Sequence, residues 1–473
     1  MTALLAWTLL AATAVGIGQL VRDAGGNGAP RLGPPTTALL GALALAALLP
    51  NLFQIGLPRA LLLAGTYGAA AAGHVRWLRA RRPHPLDPRA LGTACVFALA
   101  LQAPIALATT MPPLSSDAAL VWWPKVAEIA AGSRPQVPVD EGLHLLPFYP
   151  RGMAWLANVA WPWGTPPAEV ARATPLLLVW LTALVMADFV RSRDRPGAAL
   201  LLGLGWLLLP GVAQNANAGL GEPGVAAAVL LSGLGLHLRR RHRLGHVVAI
   251  TAGAGAASIK EEGSLVLLVV VATFAADLLH RHRRRPALAA GGAAALALLP
   301  FALWRGQVPQ SRFDTLGLLL ADPDLLLLRA AAVVESILRM LVAPGSLRMP
   351  LEDAFAMPVC WIGWVVVGSL AVLIPRRGPP HLPVRSALVL LAGALLVYTA
   401  SSADVRWHVR TTLPRLMVEV APLLLLAASS RLLLVGANPA RSASGDSPER
   451  APEERKERGP DMPVLAPKSG SGS

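Results

Sequence analysis

Four short polar stretches in an otherwise apolar chain hold the residue types that acid–base chemistry on an anionic ligand requires. The first, L-S-S-D-A-A-L-V-W-W-P-K-V-A-E, carries Asp117 and Lys125 and leads on to D-E-G-L-H-L-L-P-F-Y-P-R-G with Tyr149 and Arg151. The second, N-A-G-L-G-E-P-G-V-A-A-A, carries Glu222, and the third, I-K-E-E-G, carries Lys260, Glu261 and Glu262. The fourth, S-S-A-D-V-R-W-H-V-R-T-T-L-P-R, carries Arg406, His408, Arg410 and Arg415. A carboxylate beside a hydroxyl or amine can take its proton, and guanidinium or ammonium groups can hold phosphate oxygens. Hard carboxylate oxygens also suit Mg²⁺ or Mn²⁺, although no His/Asp spacing here demands a metal.

Each of these residues also has a plainer reading. Asp117, with Ser115 or Ser116 as a cap, and Glu222, next to Pro223, both sit where a helix starts, and a carboxylate there complements the helix dipole. His408 is either an anion contact or a satisfied interfacial histidine, and Arg415 and Glu419, four apart, can neutralise each other. Lys260, Glu261 and Glu262 lie between two apolar runs with almost no loop. Ionisable residues at that depth mark a functional cavity.

The elements that must position these residues are membrane spans. Hydrophobic residues make up 54% of the chain and charged ones 15%, and apolar runs recur near the roughly 20 residues that cross a bilayer. The pattern predicts an all-α polytopic protein of about thirteen spans. They fall near 3–20, 37–55, 58–76, 91–109, 171–190, 197–213, 223–238, 246–259, 264–280, 287–304, 356–375, 384–400 and 413–435. The opening run, Leu4 to Val21, lacks the charged start and cleavage site of a signal peptide and is expected to be a retained span.

Positive charge falls on alternate gaps. Arg76, Arg79, Arg81 and Arg82 fill one, Arg191, Arg193 and Arg195 another, Arg239, Arg240, Arg241 and Arg243 a third, and Arg281, Arg283, Arg284 and Arg285 a fourth. Basic loops stay cytoplasmic, so the four polar stretches are expected on the opposite face of the membrane. The long outer loop then spans 110–167. A second, 305–355, contains an amphipathic segment at 325–342 with Arg329, Glu335 and Arg339, expected to lie in the interface rather than cross. Residues 436–473 lose apolar periodicity and are expected to form a disordered cytoplasmic tail after a membrane domain of 1–435.

The net charge of +15 does not argue for nucleic acid, because its arginines form short juxtamembrane clusters suited to anionic lipid. Only Lys125 and Lys260 are lysines of the membrane body, and both are expected on the outer face. Cys95 and Cys360 sit in apolar runs and define neither a disulfide framework nor a metal site.

The D-A-A-L-V-W-W-P-K-V-A pattern with F-Y-P, the G-L-G-E-P-G-V-A-A-A and I-K-E-E-G stretches, and R-T-T-L-P-R-L-M-V-E-V-A-P near the end together resemble bacterial GT-C glycosyltransferases. The likeness covers roughly residues 90–435 and points to the protein mannosyltransferase and aminoarabinose transferase types. It implies a polyprenyl-phosphate-sugar donor, an extracytoplasmic glycan, lipid or protein acceptor, and a site on the outer face of a bacterial inner membrane. A catalytic acid in the first large outer loop maps onto Asp117, and a second acid opening a later span maps onto Glu222, where relatives often have Asp. Four expected spans precede the Asp117 loop rather than one, and no large soluble C-terminal domain is expected after the membrane domain.

On this expectation Asp117 is the base or a cation ligand, and Glu222 orients the acceptor or helps hold a metal. Lys260, Arg406, Arg410 and Lys125 hold the donor phosphate. Glu261, Glu262, His408, Tyr149 and Arg151 complete the candidates. A transporter or flippase of lipid-linked sugar is the alternative, but it would need charges along both halves of a path, and the cytoplasmic loops hold little besides arginine. A non-catalytic scaffold leaves I-K-E-E-G unexplained.

Overall fold

The computed structural model describes residues 2–26, 32–80, 122–132, 150–191, 196–209, 221–260, 262–279, 284–293, 323–342, 365–372, 387–393 and 405–435, with single positions at 212, 215, 216, 295, 395 and 399. Most of these residues are helical, and no strand occurs among them. Twelve helices position the polar stretches, beginning with α1 (Thr2–Ala24), α2 (Pro34–Gln54), α3 (Arg59–Ala80), α4 (Trp123–Ala130), α5 (Gly152–Ala160) and α6 (Ala168–Arg191). They continue as α7 (Pro196–Leu207), α8 (Glu222–Leu238), α9 (Leu244–Ile259), α10 (Gly263–Asp277), α11 (Pro323–Val342) and α12 (Val405–Val435).

Three helices, α1, α2 and α6, are long and apolar enough to cross a membrane. They coincide with the expected spans at 3–20, 37–55 and 171–190. The shorter apolar helices α7 to α10 match those at 197–213, 223–238, 246–259 and 264–280, and α3 and α12 overlap 58–76 and 413–435. The expected span at 91–109 lies outside the described residues, and those at 287–304, 356–375 and 384–400 are described only in part. Helix α11 covers the amphipathic segment and is not among the three long apolar helices. Its Glu335 and Arg339 pair at 2.5 Å one turn apart, and Arg329 donates from Nε to the Thr399 carbonyl at 2.8 Å.

The core forms where helices made of small residues approach closely. Helix α9 is the centre of this packing: its T-A-G-A-G-A-A-S run lies against α2, α8 and α10, and almost all of it is buried. Fully buried leucines of α2 (Leu39, Leu40 and Leu43) and α8 (Leu230 and Leu231) fill the surroundings. Residues Met1–Arg431 form one compact unit; of the second, Leu432–Ser473, only the end of α12 is described.

Two tight features fix where the polar stretches land. Helix α8 begins at Glu222 because Pro223 is preset for a first turn and a carboxylate there suits the dipole. Helix α9 ends at Lys260, whose extended backbone (φ −151°, ψ 152°) breaks the helix, and α10 restarts at Gly263. A Cβ on Gly263 would collide with the Ala256 carbonyl, so only glycine allows this abrupt reversal. The reversal leaves Lys260 at the helix junction, with its side chain turned inward.

Candidate functional site

Lys260 is the hub of a buried ion cluster. Its Nζ lies 3.1 Å from Glu222 Oε1, 3.1 Å from Glu262 Oε1 and 3.2 Å from Glu419 Oε1. Lys260, Glu222 and Glu419 are buried, whereas the Glu262 carboxylate is about a fifth exposed. Burial alone would lower the Lys260 ammonium, but Glu222, Glu262 and Glu419 outweigh it and hold it well above the usual lysine range. Arg415 Nε approaches Glu222 Oε1 at 3.6 Å. Buried charges persist only when paired, and these five residues from α8, the α9–α10 junction and α12 meet that need together.

One oxygen of the cluster is left over. Glu222 Oε2 is buried and has no hydrogen-bond partner, so it remains an open acceptor. The i, i+4 pair Arg415 and Glu419 does not serve only itself: Glu419 reaches Lys260, and Arg415 reaches Glu222. The three donors of an ammonium are matched by three carboxylates here, which bears directly on the expectation that Lys260 holds phosphate.

The Asp117 stretch ends beside the same cluster. A Cβ on Gly221, the residue before Glu222, would lie 3.3 Å from the Trp122 ring. Helix α4, which starts one residue after Trp122, carries Lys125, whose buried ammonium lies 5.4 Å from the Trp122 ring centroid. Asn158 on α5 donates to the Val126 carbonyl at 3.2 Å, and Arg151 Nη2 donates to Glu128 Oε2 at 3.0 Å. Arg59 and Tyr67 of α3 also hold α5, through Asn158 Oδ1 at 3.2 Å and the Val159 carbonyl at 2.6 Å.

Arg151, Trp155 and Asn158 share one face of α5 by their spacing. Two donors on that stripe, Arg151 Nη1 and Trp155 Nε1, are buried without a hydrogen-bond partner. Burial lowers the Arg151 guanidinium, and Glu128 offsets part of that shift. Trp155 had no sequence signal, because a tryptophan in an apolar helix reads as core.

Of the expected site residues, Asp117, Tyr149 and Glu261 lie outside the described residues. Arg406, His408 and Arg410 fall on the first turns of α12, which starts at Val405, earlier than the expected span at 413–435; their side chains lie outside the description. Among the described residues, no group of three or more His, Cys, Asp or Glu could hold a metal ion.

A second buried cluster occupies the opposite ends of α8 to α10, and sequence reasoning missed it. Arg239 Nε donates to Asp277 Oδ2 at 2.7 Å, Arg239 Nη2 lies 3.4 Å from Asp277 Oδ1, and Arg239 Nη1 donates to the Leu236 carbonyl. His246 Nε2 lies 3.7 Å from Asp277 Oδ2, its ring tilted against Phe274 at 5.0 Å. All three polar residues are buried. The structure therefore corrects the reading of Arg239 as one more exposed member of a basic loop: Arg240, Arg241 and Arg243 are exposed, and Arg239 turns inward to a carboxylate. The available signal was Asp277, a carboxylate inside an otherwise apolar run.

No protein-family model, curated protein or solved structure matches the chain.

Proposed function

We propose that this chain is a membrane glycosyltransferase that moves a sugar from a polyprenyl-phosphate donor to an extracytoplasmic acceptor. One observation supports this reading above the others. The G-L-G-E-P-G, I-K-E-E-G and R-L-M-V-E stretches, far apart in sequence, meet around Lys260, and Trp122 from the W-W-P-K stretch packs beside them.

In this reading the acceptor oxygen or nitrogen attacks the anomeric carbon and its proton passes to Asp117. The carbon–oxygen bond to phosphate breaks, and the lipid phosphate leaves with the electron pair. Glu222 Oε2, open and buried, accepts a hydrogen bond from the acceptor or the sugar. Lys260, saturated by carboxylates, holds Glu222, Glu262 and Glu419 in place. Phosphate contact passes to Arg151 Nη1 and Trp155 Nε1, the two donors buried without a hydrogen-bond partner, together with Lys125, Arg406 and Arg410. About thirteen spans of a bacterial inner membrane carry the site on their outer face.

The orientation has its own test. Cysteines placed at 117 and 241 should label from opposite sides of the membrane with an impermeant maleimide; labelling from one side sinks the outer-face assignment.

The Arg239–Asp277–His246 cluster favours a second reading. A transporter of lipid-linked sugar needs polar groups at both ends of a path, and this cluster supplies the end that the sequence lacked. Purified protein in liposomes with polyprenyl-phosphate sugar separates the two. Sugar transfer to acceptor without lipid movement across the bilayer is expected; movement without transfer makes the chain a flippase.

A further inference from the structure

We infer that Asp277 is a positioning residue: through Arg239 and His246 it sets the register of α8, α9 and α10, so that Glu222, Lys260 and Glu262 meet at the far ends of the same helices. This holds for either functional reading, because it concerns the packing of the three helices and not the ligand.

Three observations carry it. Asp277 is the last residue of α10, Arg239 directly follows α8, and His246 lies in the first turn of α9, so the Arg239 hydrogen bonds tie α8 to α10 and the 3.7 Å approach of His246 brings α9 to the same carboxylate. Glu222 opens α8, Lys260 ends α9 and Glu262 precedes α10, so the Lys260 contacts tie the same helices at the other end. Helix α8 separates the two ties by about 25 Å at 1.5 Å per residue. Between them lie the apolar contacts of Leu236, Ala249, Ile250, Ala257, Leu267 and Val270, which are non-directional and permit sliding. Polar contacts at both ends, directional in the Arg239–Asp277 pair, fix a register that one point and an apolar seam leave loose.

The Arg239–Asp277 pair is suited to the task. Arg239 meets both carboxylate oxygens of Asp277 and also caps the α8 carbonyl of Leu236, so its fork is held at three atoms. Asp277→Asn removes the charge but keeps the shape, leaving Arg239 buried without its counter-charge.

The two lysines of the membrane body provide the test. Both are buried, but Lys260 belongs to the clamped helices and Lys125 to α4. Full-length protein in detergent is treated with an amine-acylating reagent, and the rate at each lysine is read by peptide mass spectrometry. Asp277→Asn should raise the Lys260 rate by at least about tenfold and leave Lys125 within about twofold, because local opening of α8 to α10 exposes only the former. General loosening would raise both rates together, and that result overturns the proposal, as does an unchanged Lys260 rate. Arg239→Lys keeps the charge and loses the fork. It should show the same selective rise at Lys260 and decides the matter where Asp277→Asn does not fold; equal rates at both lysines in that variant likewise overturn the inference.

Discussion

Lys260→Met should destabilise the folded chain by ~3–5 kcal/mol, the cost of breaking a buried ion pair by removing one partner. Methionine approximates the length of the lysine stem, so the loss isolates the charge from the packing. Without the ammonium, Glu222, Glu262 and Glu419 face one another across a few ångströms, and Glu222 and Glu419 are buried. Arg415, 3.6 Å from Glu222 and partly exposed, offsets only part of this repulsion. Denaturant titration in a fixed detergent, read by tryptophan fluorescence, gives the difference. The combined variant Lys260→Met, Glu222→Gln, Glu419→Gln should recover most of it, since removing a buried charge together with its partners costs far less than stranding them. A loss below ~1 kcal/mol for Lys260→Met, the range of an exposed pair, would mean that the cluster is open to solvent.

How much of this was legible in the sequence depends on the range over which each signal acts. Helix starts were readable because they are local: Pro223 after Glu222 and the I-K-E-E-G break at Lys260 declare themselves within a few residues. That Glu222 and Lys260 share a membrane level followed from the charge of intervening loops. Their contact partner Glu419 did not follow, since it lies 159 residues from Lys260 and its nearest visible partner was Arg415. Local pairing rules favour the i, i+4 neighbour, while burial rewards whichever partner removes an unpaired charge, and here the distant one is engaged.

Arg239 shows the opposite failure. Four arginines in one short gap carry the same topological signal, and nothing local says which of them turns inward. Asp277 marked the answer, for a carboxylate in an apolar run needs a buried cation. Reading that residue against the earlier basic loop at 239–243, which the alternation puts on the same face as the nearer one at 281–285, would have found the second cluster. Arg151 and Trp155 are a subtler case. Their residue types were visible, but the unused donors that make them interesting exist only once α4 has claimed Glu128 and Val126 for contacts to Arg151 and Asn158.

The largest effect on turnover is expected at Asp117, which lies outside the described residues but shares its stretch with Trp122, packed beside Gly221, the residue before Glu222. Under the glycosyl-transfer reading, Asp117→Asn keeps size and hydrogen-bonding capacity and removes basicity, so the rate should fall at least ~10²-fold with donor affinity retained. Arg406→Ala should act differently, weakening donor binding more than the chemical step, because it removes a phosphate contact and leaves the proton acceptor in place. Single-turnover transfer and equilibrium binding of the polyprenyl-phosphate sugar, measured on the same preparations, separate the two effects. Near-normal turnover by well-folded Asp117→Asn would take the base role from Asp117. The role would then fall to Glu222, whose buried Oε2 has no hydrogen-bond partner, and Glu222→Gln should in that case show the loss predicted for Asp117.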